Sequence, residues 1–266
     1  MNTSIVGSLA SIRRYPVKSM AGEELTEIEI THNGLRDDRA WAMIDLMTGK
    51  VVSAKNPRRW PDLLYFRAQY DSTGRVIVTF PDGTAKTIGD SSLAPALTTW
   101  FDRPVEMRSS PAGRAIIEVC DPNANERVVH EEILPGTFFD ASLVHLVTTA
   151  TLRQMALHHP GGSFDPCRFR PNLVIDCGDR IGFIENEWVG KTLHLGCEVR
   201  LRITGACPRC VMTTLDQPGA DSDLSILSTA VRHNAGAVGV YAIVERTGRV
   251  FKGDEIGTLP PGESSN

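Results

Sequence analysis

The sequence lacks long apolar segments, and it lacks an excess of positive charge. No run approaches the roughly 18 consecutive apolar residues of a membrane-spanning helix. The N-terminal segment 1–20 has neither the basic and apolar blocks nor the cleavage site of a secretion signal. With 28 Lys and Arg against 32 Asp and Glu, the net charge is -4 at pH 7, so the basic field of a nucleic-acid-binding protein is missing. We therefore expect a cytoplasmic, unanchored protein that binds neither nucleic acid nor membrane.

Cysteine is also scarce, with six residues in a chain of 266. Without an export signal, such a number favours free thiols over a disulfide framework. Cys207 and Cys210 share a short motif, CPRC, within the segment 205–214. A structural zinc site needs four ligands, but the chain has no second Cys-x-x-Cys, and its adjacent histidines His158 and His159 are not spaced as ligands of one metal.

Besides zinc, the CPRC motif has three interpretations. A redox pair of the thioredoxin type lies at the start of a helix, whereas the β-branched residues of VMTT at 211–214 predict no helix here. Two buried cysteines beside a proline turn would give the same motif without any chemistry. Arg209 favours a metal-ligating thiolate, because a neighbouring cation stabilises the thiolate form that binds soft metals. The motif alone does not choose among them.

Short alternating segments separated by turns dominate the first half of the chain, which is typical of a barrel or sandwich. Strands are predicted at 26–31, 40–46 and 75–80, from TEIEIT, AWAMIDL and RVIVTF. One helix is predicted at 91–101, with Ser91 or Ser92 as its cap and Pro95 in its first turn. The text between Ser109 and Glu132 is polar and loop-like, which places a domain boundary near residue 115.

The second half adds helices to further strands. A strand that ends at Val147 leads into a helix capped by Thr148 or Thr149. One face of this helix is predicted to carry Leu152, Met155 and Ala156. Further strands are predicted at 172–177, in one long run at 192–204, and in a closing pair at 239–245 and 248–256, with a helix at 223–234. The fold class predicted is therefore mainly β with a few helices, ending in a disordered tail at 261–266.

Two polar segments near the N-terminus carry cations next to predicted strands. In YPVKSM, Lys18 and Ser19 offer a cation and a hydroxyl that suit a phosphate group, although a solvated turn would look the same. In GLRDDRAW, Arg36 and Arg39 accompany two aspartates ahead of an apolar strand, and a surface ion-pair network would explain them equally well.

A third segment, CRFRPNLVID at 167–176, carries two arginines beside an amide. Arg168 and Arg170 lie two residues apart and would face one side of an extended segment, because Pro171 disfavours a helix at the residue before it. Asn172 adds a group that can donate and accept hydrogen bonds. This arrangement suits an anionic or phosphorylated ligand, with paired surface arginines as the alternative.

Together and in this order, YPVKSM, GLRDDRAW, RFRPNLVID, CPRCVMTTLD and GVYAIVERTGRVFKGDEI resemble the MOSC family, the molybdenum cofactor sulfurase C-terminal domain proteins that carry an N-terminal β-barrel domain. The resemblance covers nearly the whole chain and is greatest to YcbX-like proteins and the amidoxime-reducing component. It implies a MOSC N-terminal β-barrel domain at 1–115 and a β-barrel MOSC domain at 116–260. The chain ends at its closing strand without an appended ferredoxin domain, so we expect its electrons to come from a separate electron-transfer protein, ferredoxin-like or a flavoprotein reductase.

The resemblance also implies roles for individual residues around a molybdenum cofactor. Cys210 would be the catalytic cysteine and the protein ligand to molybdenum, with Cys207 as a neighbour. The residues that would hold the pyranopterin and its phosphate are Lys18, Ser19, Arg39, Arg168, Arg170, Asn172, Arg209 and Tyr241. One departure from the family pattern is Met20, where many relatives carry a small residue or a cysteine, and it is expected to affect packing more than phosphate binding.

Three functions follow from the resemblance. The first is a molybdenum-dependent oxidoreductase that reduces small N-hydroxylated substrates, such as hydroxylamines and amidoximes, by oxygen-atom transfer to molybdenum. The second is a sulfur carrier or cofactor-handling protein in which Cys210 or Cys207 bears a persulfide, for which Arg209 is equally suitable. The third is a β-barrel interaction module without the cofactor, which leaves the cation-bearing segments unexplained.

Overall fold

The computed structural model describes residues 4–109, 115–121, 127–134 and 137–258. The predicted tail at 261–266 lies outside these residues. The strands are β1 (Ser4–Arg14), β2 (Glu23–Leu25), β3 (Glu27–Thr31), β4 (Gly34–Leu35), β5 (Trp41–Asp45), β6 (Arg67–Tyr70), β7 (Val76–Thr79), β8 (Ala85–Thr87), β9 (Val105–Ser109), β10 (Ile116–Asp121), β11 (Arg127–Glu132), β12 (Val144–Thr148), β13 (Leu173–Asp176), β14 (Thr192–Leu195), β15 (Val199–Pro208), β16 (Ala237–Arg246), β17 (Gly248–Phe251) and β18 (Glu255–Thr258). The α-helices are α1 (Leu93–Phe101), α2 (Thr149–His158), α3 (Pro166–Phe169) and α4 (Ser225–Asn234), and 3₁₀ helices span Leu63–Tyr65, Ile184–Trp188 and Val211–Thr214. The prediction of a mainly β protein with few helices is confirmed.

The chain forms two compact units whose segments alternate along the sequence. The first unit contains 1–13, 24–36 and 142–266, and the second contains 14–23 and 37–141. A single boundary near residue 115 does not describe this division. The hairpin of β10 and β11 follows that boundary, yet Ile117 and Val119 pack into one apolar cluster with Ala42 and Ile44 of β5, which keeps the hairpin in the second unit.

The first unit is built on a closed barrel. Seven strands follow one another around it in the order β13, β12, β16, β15, β14, β18 and β1, and β1 pairs back to β13. Side chains that alternate between the two faces of each strand fill the interior of the barrel. Leu193 and Leu195 of β14 and Leu201 of β15 are buried, while His194 between the two leucines points to the other face. In this unit β17, β3 and β4 form a separate small sheet.

The second unit contains smaller antiparallel sheets. β5 pairs with β9, β10 with β11, and β6, β7 and β8 form a meander. The helix predicted at 91–101 is α1, with Ser92 at its N-cap and Pro95 in its first turn. The side chain of Ser92 makes no capping hydrogen bond and instead accepts one from Lys86 Nζ at 3.0 Å. Among the residues of the chain that are described, no helix has the length and apolar character to cross a membrane.

The start of α2 follows the prediction closely and adds a buried acid to it. Thr148 is the N-cap, and its side chain accepts a hydrogen bond from the Thr151 N–H at 3.1 Å. The hydroxyls of both threonines donate to the carboxyl of Glu185, each at 2.6 Å. Glu185 is fully buried, and burial raises its pKa, only partly countered by these hydrogen bonds. Met155 is buried as predicted, whereas Ala156 is exposed, so its predicted place on the packed face is wrong.

Two other local predictions are also wrong. The single long strand at 192–204 is in fact the hairpin of β14 and β15, because Gly196 adopts a positive φ of 56° that turns the chain. The extended segment predicted at Arg168 and Arg170 is instead the helical turn α3, with Asp165 as its cap and Arg170 in the left-handed region at φ 53°. A left-handed residue avoids the αR region that Pro171 disfavours, so the sequence rule holds while the conformation differs.

Candidate cofactor site

The CPRC motif forms the end of a barrel strand and the start of a short helical turn. Cys207 lies in the last part of β15 and is only 1% exposed. Cys210 is partly exposed and occupies the N-cap of the 3₁₀ helix Val211–Thr214. The expectation that no helix follows the motif is therefore wrong, since one short turn does follow. Both cysteines are free thiols. Cys210 is thus the thiol of the motif that solvent can reach.

Arg209 lies between the two cysteines and is held from both sides. Its Nη1 donates to Cys207 Sγ at 2.7 Å, and its Nη2 donates to the Phe169 carbonyl at 2.8 Å. Its Nε is buried and has no hydrogen-bond partner among the described residues. Burial alone would lower the pKa of Arg209, but Cys207, Cys210 and Tyr241 raise it, and the net shift is upward. Arg209 therefore remains a cation beside both thiols, with one N–H available to a ligand.

Arg168 is the largest fully buried side chain, at 1% exposure. Its guanidinium donates to four backbone carbonyls. The acceptors are Ser163 at 2.9 Å, Thr213 at 2.9 Å, Leu215 at 3.5 Å and Asp221 at 2.8 Å. Two of these carbonyls, at Thr213 and Leu215, belong to the segment directly after Cys210. Arg168 thus ties that segment to α3, and four of its five N–H groups are used in doing so. Its predicted contact with a cofactor remains a prediction.

Asn172 joins neighbouring strands of the barrel. Its Oδ1 accepts the His145 N–H at 3.2 Å, and its Nδ2 donates to the Arg13 carbonyl at 3.3 Å. Its own N–H donates to the His145 carbonyl at 2.7 Å. The side chain is 1% exposed. Asn172 therefore fixes the strand that follows Arg170, and its predicted role toward a cofactor remains a prediction.

Tyr241 reaches the CPRC region through strand pairing. It lies on β16, directly opposite Gly205 of β15 and His145 of β12. Its ring meets the His145 ring edge-on, with centroids 6.0 Å apart. His145 is buried, and its Nε2 lies 3.2 Å from the Val238 carbonyl. The motifs did not single out His145, because one histidine in an apolar strand carries no pattern that separates it from a core residue.

Close packing around His145 depends on a glycine. Gly239 has a φ of 83°, and a side chain there would collide with the carbonyl of Leu146 and with the His145 ring. Glycine populates this region without the penalty that other residues incur. The sequence VGVY at 238–241 shows the glycine, but its pattern does not indicate that a larger residue would be excluded at 239.

Lys18 and Ser19 belong to the second unit. Lys18 is 6% exposed, and its Nζ donates to the Phe138 carbonyl at 2.9 Å and to the carboxylate of Asp140. Burial lowers the pKa of Lys18, and Asp140 counters part of this effect. Ser19 adopts a left-handed φ of 65°, and its Oγ accepts the Ala54 N–H at 3.1 Å. The Lys-Ser pair is therefore a buried, internally bonded turn.

Asp140 supplies the carboxylate that pairs with Lys18. Its carboxylate also lies 3.5 Å from Lys55 Nζ. Burial would raise the pKa of Asp140, but Lys18, Lys55 and Arg39 outweigh it and hold the pKa below its usual range. Lys18 and Asp140 stand far apart in the sequence, so no local motif could have paired them.

Arg39 is the third predicted cation of the second unit. Its guanidinium pairs with Asp38 and lies over the ring of Tyr15, 4.5 Å from the centroid, and 5.3 Å from that of Phe139. Its φ of 47° is left-handed. Three cations, Lys18, Lys55 and Arg39, are thus influenced by one carboxylate at Asp140. The structure brings Lys18 and Arg39 together in this unit, and brings Cys207, Arg209, Cys210 and Tyr241 together in the other.

The residues of the cysteine group fit the cofactor that the resemblance implies. Among the described residues, no cluster of three or more His, Cys, Asp or Glu side chains could hold a metal ion. A metal at Cys210 would therefore need further ligands from its own cofactor, as the dithiolene sulfurs of a pyranopterin provide. The unpartnered Nε of Arg209 is a buried cationic donor beside that thiol, which suits an anionic group.

Known proteins similar to this chain include sequence relatives and a solved structure. Mitochondrial amidoxime reducing component 2 of Homo sapiens is 28% identical over 240 residues, which are 79% of this chain and 67% of that protein. Molybdenum cofactor sulfurase of Drosophila grimshawi is 27% identical over 256 residues, which are 88% of this chain, and the match spans only 31% of the sulfurase. The crystal structure of the YUAD protein from Bacillus subtilis aligns with 15% identity and a TM-score of 0.48, covering 95% of this chain and 94% of that one.

Family models match both parts of the sequence. The model of the MOSC N-terminal beta barrel domain matches residues 6–101, and the model of the MOSC domain matches residues 135–257. The two matches follow one another in the order that the motifs predicted. The chain therefore belongs to the family of proteins that join a MOSC N-terminal β-barrel domain to a MOSC domain.

Proposed function

We propose that this protein is a molybdenum-cofactor-dependent oxidoreductase that reduces small N-hydroxylated compounds such as hydroxylamines and amidoximes. The observation that carries the proposal is Arg209, a buried cation with an unpartnered Nε, placed beside the partly exposed thiol of Cys210. Relatives named as amidoxime-reducing components and as molybdenum cofactor sulfurases support the same cofactor. At 23–28% identity in the amidoxime-reducing components, the reaction itself is part of the proposal.

The chemistry balances with a separate electron donor. Reducing an N-hydroxylated substrate to the amine takes two electrons and two protons, breaks the N–O bond and releases water. The bound cofactor would supply the two-electron chemistry at molybdenum. The electrons would come from a separate ferredoxin-like or flavoprotein partner.

The chain's own residues would hold the cofactor and set its surroundings. Cys210 would provide the sulfur ligand to the metal, and Arg209 would offer its Nε–H to the anionic cofactor. Arg168 would keep the segment after Cys210 in place through the carbonyls of Thr213 and Leu215. We further propose that Lys18, Ser19, Arg39, Arg170, Asn172 and Tyr241 contribute to binding the pyranopterin and its phosphate.

The test is metal and pterin analysis of protein purified from a host that makes molybdenum cofactor. Wild-type protein should carry near-stoichiometric molybdenum with pterin and should reduce benzamidoxime, while Cys210→Ser should lose both the metal and the activity. Cys197→Ser is the matched control, because Cys197 is an exposed thiol in the same unit. Full reductase activity in Cys210→Ser would overturn the ligand assignment. If wild-type protein lacks the metal and carries a persulfide on Cys210, the protein is a sulfur carrier and not an oxidoreductase.

A second variant tests cofactor retention. Arg170→Ala should weaken retention on dilution by roughly ten- to a hundredfold, the effect of losing one charged hydrogen bond. Lys18→Ala should have an effect of the same size, and it also leaves Asp140 without its main partner. If cofactor occupancy stays unchanged in both variants, Arg170 and Lys18 do not bind the cofactor.

A further inference from the structure

Three basic side chains form a row on the outer face of the barrel, across β14, β15 and β16, and Arg200 lies at the opposite end of β15 from Cys207. His194 of β14 lies directly opposite Arg200 of β15, and Arg200 lies directly opposite Arg246 of β16. Residues that are directly opposite in an antiparallel pair share one face and lie about 4.5–5.5 Å apart at their Cβ atoms. The row therefore holds three neighbouring basic groups across three adjacent strands.

Acidic residues of the described chain do not balance this row. Neither His194, Arg200 nor Arg246 forms an ion pair there with a carboxylate. The nearby Glu245 is already paired with Arg202, at 2.8 Å. Like charges directly opposite one another on a sheet destabilise it, so an unbalanced row of this kind calls for an explanation.

Unpartnered nitrogen atoms point to a missing ligand. His194 Nε2 and Arg200 Nη1 are both buried, and neither has a hydrogen-bond partner among the described residues. Leaving a buried donor unpaired costs about 1–3 kcal/mol, and such groups in native proteins often mark an ion or water. Burial lowers the pKa of His194, and Arg200 and Arg246 lower it further.

The donors of the row suit a small anion. Next to His194 across the sheet is the buried Gly257 of β18, which adds no side chain to the row. At the other end Arg246 is exposed. Two guanidinium groups and an imidazole provide several directed N–H donors, which suit the oxygens of a tetrahedral oxyanion better than a single point charge would.

We propose that His194, Arg200 and Arg246 form a binding site for a phosphate group, either inorganic phosphate or the phosphate of a small metabolite. The site is independent of the proposed molybdenum chemistry, since it uses none of the same residues. An anion here would satisfy the unpartnered nitrogen atoms and reduce the repulsion between the guanidinium groups of Arg200 and Arg246.

The test follows the imidazole of His194 by NMR in full-length protein labelled with ¹³C-histidine, with its signal identified by its loss in His194→Gln. Inorganic phosphate should shift this signal in a saturable way at constant ionic strength, while chloride should not. Arg200→Gln should weaken phosphate binding by at least about tenfold, the loss of a charged hydrogen bond. Arg202→Gln is the matched control, because Arg202 lies on the same strand and already pairs with Glu245.

Three results decide whether phosphate binds at this row. No saturable shift with phosphate, or equal binding by Arg200→Gln and wild type, would overturn the proposal. Lys18→Ala should leave the His194 titration unchanged, which distinguishes this site from any phosphate bound in the second unit. Titration with glycerol phosphate identifies the source: tighter binding than inorganic phosphate indicates the phosphate of a metabolite, and weaker binding indicates the free ion. Arg200→Gln removes a repelling charge, so it should fold at least as well as wild type, and thermal unfolding in chloride checks this.

Discussion

Replacing Arg168 by methionine should destabilise the first unit severely. The guanidinium is 1% exposed, and three of its bonds to backbone carbonyls, at Ser163, Thr213 and Asp221, are 2.8–2.9 Å long. Methionine fills much of the volume but leaves these carbonyls without a donor. Leaving one buried acceptor without its donor costs about 1–3 kcal/mol, so with three such carbonyls we expect the free energy of unfolding to fall by at least about 3 kcal/mol.

Urea unfolding followed by circular dichroism measures this loss, with the slope used to confirm a comparable transition. Arg249→Met is the control, since Arg249 is 61% exposed in the same unit and pairs with Glu27 at 3.4 Å. Exposed pairs of this kind contribute at most about 1 kcal/mol. A loss below about 1 kcal/mol in Arg168→Met would refute the reasoning that its carbonyl bonds stabilise the fold. If cofactor retention fell while stability stayed unchanged, Arg168 would instead contact the cofactor.

Two further predictions concern the same barrel. Burial raises the pKa of Glu185 above its ordinary value of 4.5, so the folded state holds more protons than the unfolded state above about pH 4.5 and its stability falls as the pH rises through that window. The glutamine in Glu185→Gln does not titrate, so this variant should gain stability relative to wild type as the pH rises from 4.5 to 7 in urea titrations. A difference in the free energy of unfolding that stays constant over this pH range would contradict a raised pKa at Glu185. Gly239→Ala should cost more than about 1–2 kcal/mol in thermal unfolding, because alanine would be strained at φ 83° and would collide with the Leu146 carbonyl. The exposed, positive-φ Gly190, where a side chain would meet nothing within 4 Å, provides the control.

The sequence predicted best those features that depend on a local pattern. The strands β3 and β7 alternate in burial as their residues do, and β5 is almost wholly buried as its apolar run predicts. Thr148 caps α2 as its position before an amphipathic run suggests. The CPRC motif brings Cys207, Arg209 and Cys210 together because they are neighbours in the chain. Tyr241 joins them only through the pairing of β15 with β16. The family resemblance predicted that Tyr241 lies at this site, whereas the sequence pattern did not.

The features that the sequence did not predict depend on distant or backbone partners. Arg168 satisfies backbone carbonyls, and every residue has a carbonyl, so no residue type signals that role. Asp140 pairs with Lys18 across 122 positions of sequence. The row of His194, Arg200 and Arg246 exists because Gly196 turns one predicted strand into a hairpin, which sets the two strands side by side.

The closure of the barrel has a consequence for how the protein folds during synthesis. β1 is made first among the strands, yet its neighbours in the closed ring are β13, at 173–176, and β18, at 255–258. At about 5–20 residues per second, the ribosome needs on the order of 10–50 s to add the roughly 240 residues that separate β1 from the end of β18. Until β18 is made, the part of β1 that pairs with it carries unpaired backbone groups, and such an edge is prone to pair with another chain. Production of this protein should therefore respond to translation speed and to chaperones that cover a nascent strand, even though the finished ring presents no free edge.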